Sequence, residues 1–145
     1  MPEILLAEDN PADAYLIRQA LKEFDVECSV RTVVDGRDIL SLIVPADTTW
    51  HPDLIILDLN LPRHDGIEIL QKLRSTQAID HVPVVVLTSS DSPRDRQTAE
   101  ELGATRYLRK PSNLDQFLQL GAVFKELLTG PAPSESAGCD RGAIA

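Results

Sequence analysis

Three short runs of unbroken apolar residues constrain this chain more than any other feature: Ile4-Leu5-Leu6-Ala7, Leu54-Ile55-Ile56-Leu57 and Val82-Pro83-Val84-Val85-Val86-Leu87. A strand with one wet face alternates polar and apolar residues, whereas unbroken runs suit strands covered on both faces, as in a buried parallel sheet. Two further segments read as edge strands. Cys28-Ser29-Val30-Arg31-Thr32-Val33 mixes polar and apolar positions, and Tyr107-Leu108-Arg109 is short and flanked by charge.

Helix signals lie between the strands. Asn10-Pro11-Ala12-Asp13 and Ser92-Pro93-Arg94-Asp95 share one grammar: a capping side chain, proline at the first helical position and an acid in the first turn. Asn113-Leu114-Asp115-Gln116 resembles a capping box. Gly36 to Ile43 and Gly66 to Arg74 supply two more helices, the second with apolar Ile67, Ile69, Leu70 and Leu73. Five strand-helix units in succession predict an α/β fold, a doubly wound parallel five-stranded sheet with helices on both faces. The expected domain is 1–129. From Gly130 the chain has neither periodicity nor apolar mass, so 130–145 is expected to be a disordered tail.

In open α/β sheets, ligands bind beyond the carboxyl ends of the strands, where the strand order reverses. The first strand ends in Glu8-Asp9, the third in Asp58, the fourth in Thr88-Ser89, and Lys110-Pro111 follows the fifth. In the flavodoxin-like order 2-1-3-4-5, strands one and three flank that point, so Glu8, Asp9 and Asp58 meet there. Like charges that close must take up protons or be neutralised by a cation. Oxygen ligands without histidine or thiolate favour a hard ion, and a shell with room for water and phosphate favours Mg²⁺. Thr88 offers a hydroxyl and Lys110 a point charge for a phosphoryl oxygen. Taken singly, each residue has an ordinary explanation: acids complementing a helix N-terminus, a hydroxyl bonded to backbone, a solvated lysine. Their convergence on one rim points instead to phosphoryl transfer, where positioning and charge neutralisation supply most of the catalysis.

Composition narrows the alternatives. A chain of 145 residues, 43% hydrophobic, fills one ordinary domain. Its formal charge of −9 argues against a nucleic-acid partner, which would call for a basic patch. Cys28 and Cys139 form no disulfide framework or metal-ligand spacing. The start Met-Pro-Glu-Ile lacks a basic leader, and no apolar stretch reaches the roughly 18 residues of a membrane span. A cytoplasmic protein without membrane contact is therefore expected.

With these pieces in order, the chain resembles the receiver domain of two-component response regulators over nearly all of residues 3 to 129. The matching motifs are Glu8-Asp9, Leu57-Asp58-Leu59-Asn60-Leu61-Pro62 with Asp65-Gly66, Thr88-Ser89 and Lys110-Pro111. The resemblance implies that Asp58 accepts a phosphoryl group from a sensor histidine kinase. A carboxylate is ionised at neutral pH and needs no general base for this. It further implies that Asp9 and Asp58 hold Mg²⁺ (or Mn²⁺), with Glu8 acting through water and Asn60 giving its backbone carbonyl. Thr88 and Lys110 would bind the phosphoryl oxygens, Tyr107 would be the aromatic switch residue, and the bond before Pro111 would be cis. Asn60 and Ser90, two residues past the acceptor and the threonine, would tune dephosphorylation. Glu8 departs mildly from the family, which often has aspartate there. The Leu-Asn-Leu-Pro phrase, the loop from Pro45 to Pro52 and Ser112-Asn113-Leu114 after Lys110-Pro111 look similar to stand-alone receivers that work with phytochrome-type kinases.

Two competing classes stay open at this point. An aspartyl phosphatase would usually carry a second aspartate where Asn60 stands. A flavin or nucleotide carrier would need a phosphate loop after the first strand, where Glu8-Asp9 repels phosphate. Output is expected through the face of the fourth helix, fifth strand and fifth helix. On the fifth helix, apolar residues spread over roughly 220° at 100° per residue, more than one sheet contact requires. The surplus residues Leu120, Val123 and Leu127 are candidates for a homodimer face.

Overall fold

A computed structural model describes residues 1–43, 51–61, 65–76, 79–90 and 92–129. The expected tail, Pro62, and the loop from Pro45 as far as position 50 lie outside these residues. The described chain alternates β1 (Glu3–Ala7), α1 (Pro11–Glu23), β2 (Ser29–Val33), α2 (Gly36–Ile43), β3 (Leu54–Leu57), α3 (Gly66–Ser75), β4 (Val84–Thr88), α4 (Pro93–Glu101), β5 (Arg106–Arg109) and α5 (Leu114–Thr129). All strand pairs are parallel, in the order β2-β1-β3-β4-β5, with the two mixed segments at the edges as predicted.

The apolar runs are apolar throughout because each strand feeds two cores. Ile4 and Leu6 of β1, Leu54 and Ile56 of β3, and Val85 and Leu87 of β4 face α1 and α5, where they meet Ile17, Leu21, Phe117 and Phe124. Their neighbours Leu5, Ala7, Ile55, Leu57, Val84 and Val86 face the opposite layer, with Ile39, Ile69, Leu70 and Ala99. A side-chain period of two thus fills both faces from one uninterrupted run.

The caps anticipated from sequence form. Asn10 Oδ1 accepts from the amides of Ala12 (2.9 Å) and Asp13 (3.3 Å). Ser92 accepts from Asp95 and Asn113 from Gln116, and the structure adds a cap the sequence reading did not name, Asp65 accepting from Ile67. α4 is thinly anchored: Ala99 is its one buried residue, with Leu102 partly buried beside it.

One expectation fails on α5. Leu120 does not belong to an exposed strip; it is 9% exposed and packs in the core with Phe117 and Phe124, leaving Val123 and Leu127 partly exposed. The surplus apolar arc has a second neighbour, because α5 packs against α1 as well as against the sheet. Gly121 marks the closest approach. A Cβ there would lie 2.2 Å from the Ala20 carbonyl oxygen and 2.6 Å from the Phe24 ring. Gly121→Ala is therefore expected to destabilise the fold by about 1–3 kcal/mol, the usual range for overpacking. Urea unfolding checks this, and an unchanged midpoint would show that the two helices separate freely.

Candidate functional site

The ladder rungs at the ends of the strands set the backbone of the site. The Glu8 amide donates to the Val33 carbonyl (3.0 Å), the Asp58 amide to the Ala7 carbonyl (3.0 Å) and the Lys110 amide to the Thr88 carbonyl (2.8 Å). β1 and β3 end level with each other at Ala7 and Leu57, and β4 and β5 run two residues further to Thr88 and Arg109, so Glu8, Asp58, Thr88 and Lys110 emerge at the same edge of the sheet. Glu8, Asp58 and Thr88 are the buried polar or charged residues of the described chain, whereas Asp9 and Asn60 are exposed.

Oxygen atoms of Glu8, Asp9 and Asp58 all lie within 4.8 Å of one another. An all-carboxylate set with one member open to solvent fits a hard divalent cation that keeps part of its water. Lys110 Nζ sits among the acids, 2.8 Å from Glu8 Oε1, 2.8 Å from Asp13 Oδ2 and 2.9 Å from Asp58 Oδ2. Burial works against its charge, but hydrogen bonds to Asp13, Glu8 and Asp58 outweigh that cost and raise its pKa. The Glu8 pKa is raised as well, which for a carboxyl favours the neutral form. Burial raises it, Lys110 pulls it down, the Asp58 charge pushes it up again, and the outcome is a pKa of about 7.

Hydroxyl and amide groups complete the rim. Thr88 Oγ1 accepts from Asn60 Nδ2 (3.2 Å) and from the Ser90 amide (3.3 Å). The Asn60 amide donates to Asp58 Oδ1 (2.9 Å). Past Asp58, the Gly66 amide donates to the Leu59 carbonyl (3.2 Å), and a Cβ on Gly66 would lie 2.4 Å from Leu59 Cα. Tyr107 is buried, with its hydroxyl donating to the Ser90 carbonyl (3.4 Å) and the Arg96 guanidinium 5.6 Å from its ring centre. Tyr107, which the resemblance implied to be the aromatic switch residue, thus lies inward.

Two site expectations need revision. The bond before Pro111 is trans, since the described residues contain no cis peptide bond. An X–Pro bond favours trans by about 0.5–1 kcal/mol, and Lys110 reaches the acids from a backbone held by its rung to Thr88. Asp13, read from sequence only as a helix-start acid, belongs to the site. Its signal was available: it lies one helical turn past Asp9, on a helix that begins at the rim.

Residues 4–121 match the family described as the response regulator receiver domain. Response regulator Rcp1 of Synechocystis sp. is 33% identical over 120 residues, which are 81% of this chain and 82% of that protein. Response regulator MprA of Mycolicibacterium vanbaalenii is 36% identical over 93% of this chain, which spans only about half (54%) of that relative's length. Among solved structures, the phosphorylated cyanobacterial phytochrome response regulator RcpA is 37% identical with a TM-score of 0.81, over 92% of this chain and 99% of that one. The Mn²⁺-bound form of Rcp1 superposes with the same TM-score at 31% identity, over 92% of this chain and 100% of that one. These matches decide for a receiver over the phosphatase and the flavin or nucleotide carrier. Among the described residues, no helix is long and apolar enough to cross a membrane.

The pKa of Glu8 has a consequence for stability. A carboxyl that holds its proton to about 7 in the fold, but only to the ordinary 4.5 when unfolded, favours the fold most below 4.5. That contribution is lost as pH rises from 4.5 to about 7. With EDTA present, the unfolding free energy of the wild type minus that of Glu8→Gln should fall across this window. A pH-independent difference would contradict the burial argument.

Proposed function

This chain belongs to the response regulator receiver domain family, and from that premise we propose that Asp58 is its phosphoacceptor. Receiver domains are phosphorylated by histidine kinases and bind a divalent metal at their acidic pocket. The observation that carries the residue assignment is the meeting of Lys110 Nζ with Asp58 Oδ2 at 2.9 Å, beside carboxylates clustered within 4.8 Å.

In the proposed step a carboxylate oxygen of Asp58 attacks the phosphorus of a kinase phosphohistidine. The new P–O bond forms as the P–N bond breaks, and the electron pair leaves with the imidazole. Lys110 takes up a phosphoryl oxygen, and Thr88 turns its hydroxyl toward another. Mg²⁺ held by Glu8, Asp9, Asp58 and the Asn60 carbonyl would neutralise charge on the transferring group. Asn60, through its side-chain amide, and Ser90, through its backbone amide, both donate to Thr88 Oγ1 beside Asp58, and they are assigned to tuning hydrolysis.

Phosphorylation adds roughly one and a half to two negative charges, so the response begins locally. If Thr88 Oγ1 turns to the phosphoryl group it gives up its bonds to Asn60 and Ser90. Ser90 in turn holds the start of α4 through Asp95 (2.9 Å) and accepts from Tyr107. The thin anchoring of α4 supports a response carried by the α4, β5 and α5 face. Similarity to RcpA supports a phytochrome-type kinase as the donor. A homodimer through the partly exposed Val123 and Leu127 is the companion proposal, without Leu120.

Asp58→Ala should abolish labelling by a cognate phospho-kinase with Mg²⁺ present; labelling that persists on an acyl-phosphate linkage would sink the assignment. Sedimentation velocity tests the dimer. A monomer at high concentration, both with and without a phosphoryl mimic, would remove it.

A further inference from the structure

We propose that Asp13, in the first turn of α1, is a positioning residue for phosphoryl transfer, holding the Lys110 ammonium in place while its other two partners are drawn away. This rests on the phosphoacceptor reading of Asp58.

An ammonium has three hydrogens, and here all three are engaged, by Glu8, Asp13 and Asp58. Two of those acceptors change during the reaction. Asp58 becomes an acyl phosphate, a mixed anhydride without the carboxylate charge, so its bond to Lys110 must pass to a phosphoryl oxygen. Glu8 belongs to the carboxylate cluster suited to a cation, and Asp13 does not. The Asp13 contact is therefore the one that need not break.

Its placement suits a fixed tether. Asp13 is the third residue of α1, and its amide is held by the Asn10 cap at 3.3 Å. Behind it, α1 is anchored in the core by Ile17, Ala20 and Leu21. Lysine is a flexible four-carbon stem ending in a point charge. Tied to a capped helix start, the ammonium is confined to the side of the pocket where the phosphoryl group arrives. The side chains of Asp13 and Lys110 are 21% and 11% exposed, so water screens this contact only partly.

The test uses the full chain with Mn²⁺ and acetyl phosphate. The bond from phosphorus to the acetate oxygen breaks as the Asp58 oxygen–phosphorus bond forms, and acetate leaves with the electron pair. Asp13→Asn keeps the size of the side chain but removes its charge. It is expected to lower the rate at saturating acetyl phosphate by about tenfold, as expected for a displaced catalytic group. Mn²⁺ affinity should stay within about twofold, because Asp13 lies outside the carboxylate cluster, and Asp13→Glu should restore much of the rate. If Asp13→Asn reacts as fast as wild type or faster, Asp13 competes for Lys110 or is idle, and the proposal is wrong. A slow variant that also loses Mn²⁺ affinity, and that Asp13→Glu does not rescue, would assign Asp13 a structural role and likewise overturn it. Failure of the wild type itself to be labelled on Asp58 would instead overturn the phosphoacceptor reading.

Discussion

The parallel hydrogen-bond ladder is the constraint on which everything else depends. Parallel strands leave the sheet in the same direction, so residues that follow them emerge on one edge, however distant in sequence. The register sets the level: Ala7 pairs with Leu57, and Thr88 with Arg109. A slip of one residue in β3 would turn Asp58 to the other face and send every residue of the run Leu54 to Leu57 into the opposite core. The same rungs that satisfy buried backbone groups therefore aim the acids and the lysine.

Gathering those groups creates an electrostatic problem that the fold only partly resolves. Three acidic side chains, Glu8, Asp13 and Asp58, share one ammonium, and Asp9 adds a further carboxylate beside Glu8 and Asp58. Lys110 answers by gaining affinity for its proton, and Glu8 by keeping its own toward neutrality. The remaining negative charge suits a divalent cation, which explains in physical terms why a pocket this acidic is tolerable beside the core. The site is thus arranged for a state with more positive charge than the chain itself supplies.

The legible features were those with a local cause. The caps at Asn10, Ser92 and Asn113 depend on side chains within three residues, and the two-sided burial of the central strands depends on their unbroken apolar runs. The acids were legible once the order 2-1-3-4-5 was assumed, since each sits directly after a strand. Asp13 was harder, because its partner Lys110 is remote in sequence and its position one turn into α1 has a sufficient local explanation as a helix-start acid. Leu120 was misread because helical periodicity reports how wide an apolar arc is and not how many neighbours cover it. The α1–α5 contact around Gly121 and Ala20 supplies the missing neighbour. The isomer before Pro111 was carried over from the resemblance, and the small trans–cis energy difference leaves such a bond to its surroundings.

By itself, the sequence determined the class of fold, the order of its elements, the helix starts and the set of residues able to do chemistry at the strand ends. These follow from periodicity, capping and the physical requirement that strands buried on both faces be apolar throughout. Only the tertiary structure decided which charge meets which. Lys110 bonds to Glu8, Asp13 and Asp58 together, Tyr107 lies inward against Ser90 and Arg96, and α5 buries its arc between two partners. Those outcomes depend on distances across elements far apart in the chain. A carboxylate's role changes over a few ångströms in ways that spacing along the chain does not encode.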